Sequence, residues 1–166
     1  MKISYLMLGG NIGDRMGYLR RAVELLSCDV GSVIDMSSVY ESEPWGFDCK
    51  QWFMNQAVVI ETKLSPLNLL KNIQRIEKTL GRRLTNSGYQ ARTIDIDIIL
   101  YENLVINTPE LVIPHPRMAE RMFVLQPMAE LSPNLKHPIL HHTMAKLKEH
   151  CRDAKQVKIN VEAFLR

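Results

Sequence analysis

The hydrophobic positions of this chain alternate in some stretches and recur at helical spacing in others, in a definite order. Ile3 to Leu8 reads as a buried strand, and GGNIGD reads as a turn whose Asp14 can cap a helix running to about Leu26. Leu19, Val23 and Leu26 make the stripe of that helix. Val33 to Ser42 predicts a second strand, EPWGFDCKQW a polar and aromatic loop, and Phe53 to Thr62 a third strand. Ser65 and Pro66 then supply a cap and a first-turn proline. Leu69, Ile73, Ile76 and Leu80 line one side of the helix that follows, and Gly81 stops it. A fourth strand comes next, with Ile94, Ile96 and Ile98 on one face. The order strand, helix, strand, strand, helix, strand predicts an α+β, ferredoxin-like fold, with helices on one face of a largely antiparallel sheet. Beyond Glu102 the pattern is less regular and rich in proline, with a further helix expected near Thr143 to His150.

The fourth strand carries a contradiction. Opposite its isoleucines stand Asp95 and Asp97, and Asp is among the poorest strand formers. Side chains two apart on a strand share a face, about 7 Å apart at the backbone, so two carboxylates there repel unless a cation lies between them. Oxygen-only ligands favour magnesium, which binds through one or two carboxylates and completes its shell with water and substrate phosphates. Two ions could share the pair. The alternative is a solvated strand face.

Composition narrows the choice only slightly. At 46% hydrophobic and 23% charged residues, the 166-residue chain is an ordinary globular one, and no low-complexity stretch divides it. A single domain over 1–166 is expected. No apolar run reaches the roughly 18 residues needed to span a bilayer, and MKISYLMLGG is too short an apolar start for a signal peptide. The expectation is a cytoplasmic protein that engages no membrane. Cys28, Cys49 and Cys151 form no Cys-x-x-Cys pair and are expected to be reduced thiols. A formal charge of +3 suits an anionic ligand but lacks the basic stripe of a nucleic-acid binder.

Local surroundings favour the metal. Arg82, Arg83 and Arg92 bracket RRLTNSGYQAR just before the aspartates, and Arg117 and Arg121 follow. Cations beside metal-binding carboxylates suit a polyphosphate, and the Asn-Ser-Gly segment could let the first set arrive on a lid. Without the aspartates these would be solvated surface arginines. No P-loop sequence is present, so ATP would bind otherwise. On the third strand Phe53 and Asn55 share a face, with Trp45 and Phe47 just before them. An aromatic surface beside a carboxamide could hold a flat heterocycle, although phenylalanine on a strand is more often core. His115, between prolines in IPHPR, could contact phosphate or cap a turn. His137, His141 and His142 read as surface residues.

Collectively these residues resemble a known family. Tyr40-Glu41-Ser42-Glu43-Pro44-Trp45-Gly46, Phe53-x-Asn55, Arg92-Thr93-x-Asp95-x-Asp97-Ile98 and Pro114-His115-x-x-Met118-x-x-Arg121-x-Phe123 are similar to motifs of the 6-hydroxymethyl-7,8-dihydropterin pyrophosphokinases of folate biosynthesis. The resemblance implies a ferredoxin-like fold and an ATP-dependent diphosphotransferase giving AMP and the pterin diphosphate. It further implies that Asp95 and Asp97 hold two magnesium ions, with Asp97, Arg82 and Arg92 in the catalytic set. Ser42, Glu43, Pro44, Trp45, Phe53, Asn55 and Phe123 are implied to bind the pterin. Gln74, Glu77, Ile98, Val112, His115 and Arg121 are implied to bind ATP. The chain differs from the family pattern at Arg83-Leu84, where Gly-Arg-x-Arg is common, at Tyr89-Gln90-Ala91, and at GGN after the first strand.

Two other readings compete. Palm-type nucleotidyl transferases and cyclases share this topology and hold magnesium on strand aspartates, but they release pyrophosphate. A ferredoxin-like sheet can also bind RNA, yet the aromatic signature of such modules is absent. The expectation is therefore a monomer working on small molecules, ATP and a reduced pterin alcohol, without nucleic acid.

Overall fold

The structure is a computed structural model and describes residues 1–44, 50–81 and 93–162. Strand β1 (Lys2–Gly10) leads into helix α1 (Arg15–Asp29), followed by β2 (Gly31–Met36), β3 (Tyr40–Ser42), β4 (Phe53–Thr62), α2 (Pro66–Thr79) and β5 (Asp95–Tyr101). The short β6 (Ile106–Asn107) and β7 (Val112–Ile113) pair with each other, and α3 (Met122–Leu131), α4 (Met144–His150) and β8 (Val157–Ile159) complete the chain. The main sheet runs β5-β1-β4-β3-β8, with β2 beside β3 on the same flank of β4, and every pairing is antiparallel. Its first four strand positions have the ferredoxin-like order.

Local chemistry explains the elements. Asp14 Oδ1 accepts the Gly17 amide at 3.0 Å, and Ser65 Oγ accepts the Asn68 amide at 3.3 Å, so both expected caps form. Gly17 has no Cβ, and one there would lie 2.2 Å from the Asp14 carboxylate. Leu69, Ile73, Ile76 and Leu80 are all buried, and Gly81 ends the helix at φ +91°. On α1 the buried stripe is Met16, Leu19, Ala22 and Leu26, with Val23 only partly buried at its edge.

Four features depart from the sequence expectation. The second strand is two, because the Ser37 hydroxyl takes the Ala57 amide at 2.9 Å where a ladder carbonyl would stand. Ser38 then gives both its amide and its hydroxyl to Glu130 Oε1, each at 2.8 Å, which ties the break to α3. Helices pack on both faces: α1 and α2 cover Leu6, Leu8, Ile96 and Ile98, while α3 and α4 cover Met7, Ala57 and Ile99. The register between β1 and β5 also shifts between Tyr5 and Leu6, placing Ile99 and Leu100 both in the second cluster before Tyr101 returns to the first. Finally His137 is buried, not a surface residue, because its Nδ1 accepts the amides of Ile139 and Leu140, each at 3.1 Å. Burial, with a smaller push from His141, lowers its pKa.

Candidate active site

Strand alternation sends Asp95 and Asp97 to the face opposite the isoleucines, where both are half-buried. In the ladder Asp95 stands opposite Gly9, Gly9 opposite Asn55, and Asn55 opposite Tyr40, one row across β5, β1, β4 and β3. Directly paired residues share a face, so Asp95 and Asn55 look out on the same side, about 10 Å apart over two strand spacings. Gly9, itself buried, leaves room for the Asn55 carboxamide to lie over it. A Cβ there would lie 2.6 Å from Asn55 Oδ1. The Gly-Gly pair, expected as a turn, belongs to β1, and the sequence signal for Gly9 is a glycine ending a strand of apolar residues.

Asn55 is buried and its amide donates to Ser42 Oγ at 2.6 Å, which orients the carboxamide from β3. Phe53 is partly buried one pleat further along β4, opposite Ser42. Pro44 is buried just past the strand end. The Glu43 carboxylate turns to the C-terminal segment, accepting the Gln156 amide at 3.1 Å and lying 3.8 Å from Lys155 Nζ. Trp45 lies outside the described residues, as do Arg82, Arg83, Leu84, Tyr89 to Ala91 and Arg92.

The open edge of β5 is engaged at two points. Glu77, buried on α2, accepts the Ile96 amide at 2.8 Å, between the two aspartates. The His115 amide donates to the Ile99 carbonyl at 2.9 Å, docking the segment after β7 on the same edge. Main-chain groups of alternate residues in an antiparallel ladder point the same way, so Ile98 presents its amide and carbonyl on this edge while its side chain is buried under α1 and α2. Gln74, one turn before Glu77, and Val112 are exposed.

Cations and aromatics meet at the start of α3. Arg121 is buried, and its guanidinium carbon lies 5.6 Å from the centre of the Phe123 ring. Phe123 is half-buried against the second hydrophobic cluster. The His115 ring is close enough to feel this group electrostatically. Burial pushes its pKa down to about 4, with Arg121 and Arg117 adding to the shift and Asp95 opposing it. His115 Nδ1 accepts the Arg117 amide at 3.2 Å, so the neutral ring keeps its proton on Nε2. It thus caps a turn and offers a donor to the site at once.

The donor set fits magnesium brought in with a nucleotide. Two carboxylates share a face, and among the described residues no third His, Cys, Asp or Glu joins them as an all-protein cage. Asp95, Asp97, His115, Arg121, Phe123, Asn55 and Ser42 therefore form one connected surface, with Glu77 behind its β5 edge.

Comparison with known proteins identifies the family. The family described as 7,8-dihydro-6-hydroxymethylpterin-pyrophosphokinase matches residues 5–133, ending before α4 and β8. A 2-amino-4-hydroxy-6-hydroxymethyldihydropteridine pyrophosphokinase of Bacillus subtilis is 47% identical over 130 residues, covering 78% of this chain and 77% of its own length. The Porphyromonas gingivalis protein of that name is 43% identical over 141 residues, covering 83% and 95% respectively. A folic acid synthesis protein of Schizosaccharomyces pombe is 42% identical over 86% of this chain, which spans only 20% of that longer protein. Among solved structures, the Plasmodium falciparum HPPK-DHPS with pteroate superposes with a TM-score of 0.75 at 18% identity, over 89% of this chain and 44% of that one, a likeness of fold. On these matches the chain belongs to the 7,8-dihydro-6-hydroxymethylpterin-pyrophosphokinase family.

Proposed function

We infer that this chain transfers pyrophosphate from ATP to the hydroxymethyl group of 6-hydroxymethyl-7,8-dihydropterin, giving AMP and the pterin diphosphate in folate biosynthesis. The pterin hydroxyl oxygen bonds to the β-phosphorus, the bond from that phosphorus to the oxygen bridging the α-phosphate breaks, and AMP leaves as the hydroxyl proton passes to solvent. One observation carries the reading. The carboxylates and the carboxamide stand on one face with Gly9 between them, so an anionic and a heterocyclic substrate can lie side by side.

In this reading Asn55, oriented by Ser42, reads the polar edge of the pterin while Phe53 and Phe123 supply its aromatic walls. Glu43, Pro44 and Trp45 border that pocket. His115 Nε2 donates to a phosphate oxygen, and Arg121, steadied over Phe123, offsets phosphate charge. The outward main chain of Ile98, on the edge that Glu77 engages, receives the nucleotide base, and Gln74 and Val112 contribute to the ATP site as the family resemblance implies. Asp95 and Asp97 would hold two magnesium ions, whose charge would offset that of the phosphates during in-line transfer. Arg82 and Arg92 add cations from the segment between α2 and β5.

The test is direct. With ATP, magnesium and the reduced pterin alcohol, the chain should yield AMP and pterin diphosphate in equal amounts. Release of free pyrophosphate instead would point to nucleotidyl transfer.

A further inference from the structure

The first turn of α3 carries Arg121 and Phe123, yet its N-cap position is held by an arginine, which has no acceptor to give the first amides. The acceptor comes from far along the chain: Asp153 Oδ2 receives the Met122 amide at 3.0 Å, across a separation of 31 residues. A carboxylate at this end of a helix is also favoured by the helix dipole. Asp153 Oδ1 accepts the Lys155 amide at 3.0 Å, which fixes the turn that follows. From that turn the chain runs straight onto the other side of the site. The Glu43 amide donates to the Gln156 carbonyl at 3.2 Å, Gln156 returns its amide to the Glu43 carboxylate, and Val157 pairs with Ser42, the residue that orients Asn55. Residues 153–157 therefore join the start of α3 to the β3–β4 wall. The open cleft of about 870 Å³ beside them is lined by both sides, Glu43 on one and Ala119 and Glu120 on the other.

We propose that Asp153 is a positioning residue for the pterin pocket, its carboxylate holding the first turn of α3, and so Phe123, at a set distance from the Ser42–Asn55 wall. It lies in the C-terminal stretch beyond the family match, and the proposal rests on the pterin reading above. The test titrates the pterin alcohol, followed by its own fluorescence, into wild type, Asp153→Ala and Asp153→Asn with magnesium and a non-hydrolysable ATP analogue. The temperature is one at which circular dichroism shows the wild type folded. Asp153→Ala should weaken pterin binding about fivefold, the factor given by the ~1 kcal/mol typical of a lost helix cap. Asp153→Asn keeps a neutral acceptor for the amide and should stay within about twofold of wild type. In turnover, KM for the pterin should rise with Kd while kcat changes little. An Asp153→Ala protein that melts lower but binds pterin as wild type does, or that does not fold, would make Asp153 a stability element and end the proposal. Equal weakening by Asn would also end it, since the acceptor would then not be what matters. Wild type that binds no pterin defeats the functional reading and this proposal together, whereas normal binding in Asp153→Ala defeats this proposal alone.

Discussion

The two faces of the central sheet are built from the same three strands and serve opposite ends. On one, Leu6, Leu8, Val58, Ile60, Ile96 and Ile98 meet α1 and α2 in a closed apolar layer. On the other, Met7, Ala57 and Ile99 are covered by α3 and α4, and a nearby row of the same face holds Asp95, Gly9 and Asn55. The alternation of each strand supplies both surfaces, so Gly9, Asn55, Asp95 and Asp97 each have a buried core residue as an immediate neighbour. The site is the polar end of the second face. Its side chains are held by the dry layer behind them, so the two faces can be separated by mutation.

The largest separation is expected at Asp97. On the proposed function Asp97→Asn removes a charge that serves the phosphates, and turnover should fall by about 10²-fold or more while the fold survives, as for the loss of a main electrostatic group in other sites. Full activity in a folded Asp97→Asn protein would return the pair to a solvated strand face.

One residue away in the ladder the effect should invert. Leu8 is fully buried on the dry face, and Leu8→Ala should cost about 2–5 kcal/mol of stability, read from urea unfolding, while the folded fraction binds both substrates normally. Its neighbour Gly9 should do the reverse. Gly9→Ala puts a methyl group against Asn55 Oδ1 and should turn the carboxamide from Ser42, weakening pterin binding by about tenfold, or 1.4 kcal/mol, with ATP affinity nearly unchanged. Matching losses of stability and of both affinities in Leu8→Ala and Gly9→Ala would mean that the faces are not independent.

The same contrast explains what the sequence made legible. The dry face writes itself into periodicity: the stripe of α2, its Ser65 cap and the isoleucines of β5 are local signals, and each matches the structure. The aspartates were legible for the related reason that they break a local rule. What escaped depends on partners distant in sequence. Helix α3 has Pro127 inside it, an arginine at its N-cap and apolar residues around much of its circumference, so no amphipathic stripe or cap announces it. Its hydrogen bonds to distant parts of the chain run to Asp153, Ser38 and Tyr40. Strand β8 is three residues in a polar stretch and exists because β3 offers an edge. The role of Gly9 is visible only with Asn55 across the ladder, while Arg82, Arg92 and Trp45, assigned by resemblance, lie outside the described residues.

The smallest effect tests how firmly α3 is held to the covered part of the second face. Tyr40 donates to the Glu130 carboxylate, which also accepts both Ser38 bonds. Burial, aided by the hydrogen bond to Glu130 and its charge, pushes the Tyr40 hydroxyl up to about 12. On Glu130 burial works upward, but the hydrogen bonds from Tyr40 and Ser38 outweigh it and hold the carboxyl below its usual range. Tyr40→Phe deletes one donor to a carboxylate that keeps two others and is exposed to water, so the loss at neutral pH should be about 1 kcal/mol. The pH dependence identifies its origin. A hydroxyl whose folded pKa is raised binds its proton more tightly in the folded state, so its contribution is complete below pH 10 and is lost as pH rises towards about 12. Urea midpoints at pH 8, 10 and 11 should show wild type and Tyr40→Phe separated at first and converging above pH 10. A gap that stayed constant through pH 11 would assign the loss to packing of the ring and leave Ser38 as the hydrogen-bond donor that matters at Glu130.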